Sequence, residues 1–382
     1  MTVEGFAEKL GTAVRTVANW ESRPDIVPTL TLQEALDTAL ESAPAPVRAR
    51  LALLLADGSG HETAAGAAES DMGAMQAFRR ADLRVGGGHL YPAVAGYLRD
   101  RVSPRLVALD GAAGRGVFTA AAAITEMAGW MAHDAGRDEL ARRHFARALD
   151  LISVGQDARL KAHILGSMSH LEERLRNPVK AISLARAGRD ALVEGPRNPD
   201  LDARLYAMEA RAQAALHNPE DCIALLGRAE RALGHPVEER PSRWAAGFDE
   251  GSLASEAARC MQLLGDLAEA RRQAERIVQL RPASRARSRA FGNLMLAGTL
   301  AAQGEHETAC AVAAEVVDAT QALSSHVVVQ QLRDLAQVLA PHGSSSVIGD
   351  FLARLEADLQ HRTWLFERLA VDDDPASRGV PA

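Results

Sequence analysis

A spaced pattern of small residues recurring along residues 115–320 constrains this chain more than any other feature. A small residue is followed seven positions later by Gly or a polar turn residue, and five positions after that by another small residue. Gly129, Gly136 and Ala141 carry it first, then Ser169, Arg176 and Ala181, then Ala210, His217 and Cys222. Ala258, Gly265 and Ala270 follow, and Ala297, Gly304 and Ala309 come last. The closing residues of these triplets are separated by 40, 41, 48 and 39 positions. Small residues are needed where two helices cross closely, and Gly or a polar residue suits the turn between them. Each unit therefore reads as an apolar helix, a short turn and a second apolar helix. One such pair cannot bury its own apolar face, whereas five stacked pairs can, as a right-handed helical-repeat solenoid.

Composition agrees with an all-α fold. Ala and Leu, strong helix formers, are plentiful, and aromatic residues make up only 4%. That scarcity argues against a β-sandwich, a barrel or a large parallel sheet. With 43 basic against 50 acidic residues the net charge is −7, so any nucleic-acid contact must be local. Cys222, Cys260 and Cys310 are odd in number and form no CxxC, which predicts buried free thiols in a reducing cytosol. No Cys/His pair has ligand spacing, so neither a metal site nor a cofactor is expected. No cleavable leader is apparent, and no apolar run approaches about 18 residues, so the expectation is a cytoplasmic chain without a membrane partner.

The patterning divides the chain into a helical head over residues 1–42 and a linker over 43–70. The linker carries a short helix near Val47–Ala56, and Gly58, Gly60, Gly66 and Ser70 are expected to break any longer one. A helical-repeat domain follows over 71–370, and a disordered tail, with Asp372–Asp374 and two prolines, over 371–382.

Within the head, a first helix would turn Phe6, Ala7 and Leu10 inward and end at Gly11. Thr12 would open a second helix, with Val14, Val17 and Trp20 among its apolar positions and Val17 and Trp20 packed on Leu10. Arg15 and Asn19, spaced i,i+4, would then share an exposed face. Arg and Asn are the side chains best suited to bidentate contacts with guanine and adenine edges, which is the logic of a helix-turn-helix. The segment Phe6–Gly11 followed by Arg15-Thr16-Val17-Ala18-Asn19-Trp20-Glu21 resembles the phage-repressor-like (Cro/C1-type) helix-turn-helix. The resemblance covers about the first tenth of the chain, and Ala13 departs from the Ser usual there. It implies a further helix before Thr2, double-stranded DNA as partner, Arg15 and Asn19 as base readers, and Thr16 and Arg23 as phosphate contacts. A homodimer is implied because one such head makes few contacts.

The triplet spacing resembles the tetratricopeptide repeat, best in the unit of Gly129, Gly136, Ala141, Phe145 and Ala148. Together with the head, Phe78–Asp82, Val85–Tyr91, Gly129–Gly136 and Ser167–His170, the chain resembles a class of actinobacterial transcriptional regulators whose repeats bind an effector. In tetratricopeptide geometry the first helix of each pair lines a concave face. That implies a groove holding Glu126, Trp130, His133 and Asp134; His163, His170, Glu173 and Arg174; Arg204 and Arg211; and Arg259. The fifth unit would offer only Phe291, Leu294 and small residues. One aromatic platform beside several Arg and His suits a peptide or protein effector presenting a carboxylate. The competing class is a protein-interaction scaffold with a vestigial head, in keeping with a net charge of −2 over residues 1–55.

Catalysis is not expected. HExxH and GxSxG are missing, and the Gly86–Gly88 run lacks the Lys-Ser/Thr of a phosphate loop and reads as an interhelical turn. Ser169 and His170 are neighbours on a helix, about 100° apart, and cannot share a proton as a triad does.

Overall fold

The computed structural model describes residues 3–22, 32, 35, 36, 39, 64–108, 114–193, 198–235, 243–244, 247–282, 285–321, 323 and 325–370. There is no strand among the described residues, and the fold is all-α. Contacts divide the chain into two units, Met1–Glu62 with Pro104–Leu109, and Thr63–Ser103 with Asp110–Ala382.

In the first unit, α1 (Val3–Lys9) and α2 (Val14–Ser22) pack on each other. Ala7, Leu10 and Val17 are buried between them. Gly11 takes φ 65°, and the Thr12 N–H donates to the Ala7 carbonyl at 3.0 Å, the 6→1 bond of a Schellman stop. Thr12 thus belongs to the turn, and α2 opens two residues later than the pattern predicts, at Val14, whose side chain is exposed. Phe6 and Trp20 are half-buried.

The second unit begins with α3 (Ala64–Val85), α4 (Tyr91–Tyr97), a π-helical turn (Leu98–Val102) and the short α5 (Ser103–Ala108), which runs out of the unit. Helix pairs follow. They are α6 (Arg115–Asp134) with α7 (Asp138–Gly155), α8 (Ala158–Arg174) with α9 (Pro178–Asp190), and α10 (Pro199–Ala215) with α11 (Pro219–Leu233). Next come α12 (Glu250–Leu264) with α13 (Leu267–Leu280), α14 (Ala286–Ala302) with α15 (His306–Ala319), and α16 (His326–Leu339) with α17 (Ser346–Ala370). The last pair lies beyond the five triplets.

Each triplet has the same local structure. Gly136, Arg176, His217, Gly265 and Gly304 all take positive φ, between 57° and 85°. In every case the next residue's N–H donates to the carbonyl five residues back, as from Arg137 to Ala132 and from Asn218 to Gln213. One Schellman turn is thus repeated five times, reversing the chain so that the second helix folds back on the first. The small residues lie at the crossings: Ala141, Ala181, Cys222, Ala270 and Ala309 are buried. A Cβ on Gly129 would lie 2.5 Å from Phe145 Cε1. The irregular 48-residue spacing arises between pairs, where residues 234–249 separate α11 from α12.

Two expectations about boundaries need correction or fall outside view. The linker predicted over 43–70 loses its last seven residues to α3, which runs through Gly66 and Ser70. A glycine costs a helix only about 1 kcal/mol relative to Ala, and the buried face of Ala67, Asp71, Met72 and Met75, packed on α6, offsets that. Residues 43–63 and the tail at 371–382 lie outside the described residues. No helix among the described residues is long and apolar enough to cross a membrane. Cys222, Cys260 and Cys310 are free and buried.

The second unit also returns on itself. Ser325, which caps α16, donates its hydroxyl to Asp134 at the end of α6. Arg287 of α14 reaches Asp82 of α3 at 2.7 Å and Asp134 at 3.1 Å. The Gly86–Gly88 turn joins the same knot, since the Gly87 N–H donates to Asp134 Oδ2 at 2.8 Å. Asp134 therefore ties the first helix pair to the fifth and sixth.

Candidate functional site

The first helices of the pairs face a cavity of about 450 Å³. Of the residues predicted for the groove, Glu126, Trp130, His133, Asp134, His163, His170, Arg174, Arg204 and Arg259 line it. Glu173 and Arg211 do not. Arg211 is buried, paired with Glu173 and, at 3.6 Å, with Glu256, and its guanidinium is taken up by these carboxylates and by His170. The fifth unit supplies more than predicted, with Arg287, Ser288 and Met295 beside Phe291, while Leu294 turns into the apolar core.

Heptad spacing on adjacent helices arranges the polar residues in two rungs. The first joins Glu126 of α6, His163 of α8 and Arg204 of α10. Arg204 Nη1 approaches His163 Nδ1, and His163 Nε2 lies 3.3 Å from Glu126 Oε1. Arg204 Nη1 also lies 3.1 Å from His163 Nε2, but a carboxylate only accepts, so the neutral ring places its proton on Nε2 towards Glu126 and leaves Nδ1 to accept from the guanidinium. Ser167 Oγ donates to Glu126 at 2.6 Å and Trp130 Nε1 donates to it at 2.7 Å. Burial pushes the Glu126 carboxyl upward, but His163, Ser167 and Arg204 together outweigh it and hold it at about 2. Burial and Arg204 depress His163. The first rung is thus a buried carboxylate with all its donors supplied by the chain.

Seven residues further along each helix lies the second rung, His133, His170 and Arg211. Arg211 Nη1 donates to His170 Nδ1 at 3.0 Å, copying the Arg204–His163 contact. His133 turns aside, with its Nδ1 2.6 Å from Asp138 Oδ1. The Trp130 ring packs edge-on at 5.0 Å from His170. Burial, then Arg211, His133, Arg259 and Arg204, press His170 well below the usual histidine value, so it is neutral at pH 7. Repulsion from Arg211, then burial, lower Arg259 to about 10 despite Glu256 and Glu173.

Residues outside the predicted groove complete the wall. Arg79 and Asp82 come from α3, Phe248 and Arg281 from interhelical segments, and Ser252, Ser255 and Glu256 from α12. Arg287 and Ser252 were within reach of the sequence, one turn before Phe291 and two before Arg259. Arg281 and Phe248 lie on connections that carry no period. Ser169 and His170 separate in the fold: Ser169 Oγ donates to the Ala181 carbonyl at 2.8 Å within its helix pair, whereas His170 faces the cavity. No group of three His, Cys, Asp or Glu among the described residues could hold a metal ion.

In the head, Arg15 is exposed on α2, and Thr16 and Asn19 are half-buried. The shared exposed face expected of Arg15 and Asn19 is thus open only at Arg15. Arg23 lies outside the described residues. No family model matches the chain, and no curated protein is significantly similar to it.

Proposed function

We propose that the chain is a sequence-specific DNA-binding regulator of transcription. Its head resembles a Cro/C1-type helix-turn-helix, and its tetratricopeptide-like solenoid binds a peptide or protein effector and self-associates as a homodimer in the cytoplasm. The observation that carries the reading is the joint presence of a two-helix head, with Arg15 exposed beside a buried Val17, and a charged internal cavity in a separate unit. Arg15 and Asn19 would read bases, and Thr16 and Arg23 would hold phosphates. An effector acts on DNA binding only if it prefers one arrangement of the chain over another.

Gel shifts against genomic fragments test this. Arg15→Ala is expected to cost about 1–3 kcal/mol at the cognate site and to spare non-specific binding. Equal binding by both proteins at every fragment removes Arg15 from base reading. The net charge of −2 over residues 1–55 favours a second reading, an interaction scaffold with a vestigial head. Absence of any fragment bound better than random DNA supports that alternative.

A further inference from the structure

The two rungs differ in one respect that points to a ligand. In the first, a histidine fixed by an arginine presents its Nε2–H to a carboxylate, Glu126. In the second, the equivalent histidine, His170, is fixed by the equivalent arginine, Arg211, and must also carry its proton on Nε2. His133 stands where the first rung has Glu126, and its Nδ1 is engaged by Asp138. No described residue accepts from His170 Nε2, although the ring lines the cavity.

Arg259 lines the same cavity, and its charge acts on His170. It makes no hydrogen bond or close ion pair with any described residue, and its Nε is cut off from solvent without a partner. The carboxylates whose charge acts on it, Glu256 and Glu173, are both paired with Arg211. A shielded guanidinium that no acceptor hydrogen-bonds is costly even with carboxylate charge nearby, unless something else completes its bonds. Apolar surface lies close by. Gln262, three residues beyond Arg259, reaches the Met295 carbonyl at 3.1 Å and Thr299 Oγ1 at 2.7 Å. This brings the Arg259 face of α12 against the helix that supplies Phe291 and Met295 to the cavity wall.

We propose that the second rung is completed by a ligand carboxylate, gripped by the Arg259 guanidinium and the His170 Nε2–H, with the ligand's apolar body against Trp130, Phe291 and Met295. The proposal deepens the effector reading above and rests on it for its regulatory consequence, though not for the binding itself. The first rung shows the chemistry that this His–Arg geometry accepts, a planar monoanion rather than a polyanion. At about 450 Å³ the cavity takes a small acid or the last few residues of a peptide, not a folded domain.

The test is calorimetric titration of the full chain with phenylacetate, phenylacetamide, and the tripeptide Ala-Ala-Phe bearing a free or an amidated C-terminus. At least one free acid is expected to bind, with its amide at least tenfold weaker. Binding of phenylacetate identifies a small-molecule acid as sufficient, and binding of the tripeptide acid alone identifies a peptide C-terminus. Arg259→Gln should weaken the bound acid at least tenfold, and Arg259→Lys, a point charge without the fork, should recover part of that loss. If Arg259→Gln fails to fold, His170→Phe, which keeps an aromatic ring but lacks the donor, should give the same tenfold weakening. Equal binding of acids and amides, no binding of either acid, or wild-type affinity in the folded variant overturns the proposal. DNA binding of the wild-type chain is measured separately. Carboxylate binding without DNA binding overturns the regulator reading and leaves the site standing, and the reverse outcome overturns only the site.

Discussion

The inner face of α6, α8, α10 and α12 and the core of the last two helix pairs face the same problem, burying the surfaces of stacked helices, and differ in what they bury. Between α14 and α17 the buried core includes Leu300, Val316, Leu332, Leu339, Ile348 and Leu355, with small residues at the crossings. Along the earlier first helices the buried residues include Glu126, His133, His163 and Arg211. Apolar burial stabilises at about 25 cal/mol per Å² and asks for no partner, whereas each buried ion must be matched by donors or countercharges. A chain that needed only to stack its helices could use the first solution throughout. The second is concentrated along the earlier first helices, which carry the Glu126–His163–Arg204 rung, whereas in the last pair a buried arginine, Arg362, is met by the Thr320 and Val317 carbonyls and by Asp358.

The largest expected effect breaks the polar side. Glu126→Leu removes the acceptor shared by His163, Ser167 and Trp130 and leaves Arg204 shielded without its carboxylate. Deleting one partner of a buried ionic cluster costs about 3–5 kcal/mol, to be read from urea denaturation. The apolar counterpart is Leu332→Ala, at a fully buried position of α16, with a loss of about 2–5 kcal/mol from the cavity it leaves. A loss at Glu126 below 1 kcal/mol would show that the first rung is not a structural requirement, and the contrast drawn here would fail.

Acidity separates the two regions without mutation. The folded state holds Glu126 at about 2 against an ordinary 4.5. A depressed carboxyl contributes stability that is fully present above about 4.5 and is lost as pH falls towards 2, about 3 kcal/mol in all. His163, depressed below 6.5 by burial and Arg204, acts in the same direction, because the unfolded chain takes up its proton first as pH falls. Glu126→Gln should therefore flatten the fall in stability between pH 5 and pH 3 relative to the wild type, measured by denaturation at each pH, whereas Leu332→Ala should shift the curve without changing its slope.

The crossings common to both regions give a smaller effect. Ala141→Leu should overpack the first pair and lower stability by about 1–3 kcal/mol, since Ala141 is fully buried at the α6–α7 crossing. An unchanged melting temperature would mean that this crossing has room to spare.

Much of this was legible in the sequence because helix pairing is written locally. A residue that must be small, and a turn that must enter the left-handed region, leave their mark whatever the rest of the chain does. Gly129, Gly136 and Ala141 mark the first pair in this way. The cavity was legible as far as the groove positions implied by the tetratricopeptide resemblance reach, which include Trp130, His170 and Arg259. Arg211 and Glu173 were implied by the same resemblance but pair with each other and do not line the cavity, and position along a helix cannot separate a residue facing a cavity from one turned half a step into a neighbour. Arg79, Asp82 and Arg281 enter through contacts between segments far apart in the chain, for which no local period exists. Gly66 misled in the opposite sense, because tertiary packing of α3 overrode a modest local preference.

The smallest prediction concerns the five repeated turns, which test whether the two regions share one grammar beneath their different interiors. Arg176 and His217 take φ of 61° and 57°, where the other three turns have glycine. A side chain in the left-handed region costs about 1–2 kcal/mol, partly offset because glycine loses about 0.5–1 kcal/mol more backbone entropy on folding. His217→Gly should therefore stabilise by up to about 1 kcal/mol. The reciprocal change, Gly304→Ala, should lose about the same. A Cβ there would meet nothing within 4 Å, so the loss measures the backbone alone. Both are read as opposite shifts in the melting temperature of the full chain. Shifts of the same sign would show that His217 is held by something other than its turn, and the polar and apolar halves would then differ in their turns as well as in what they bury.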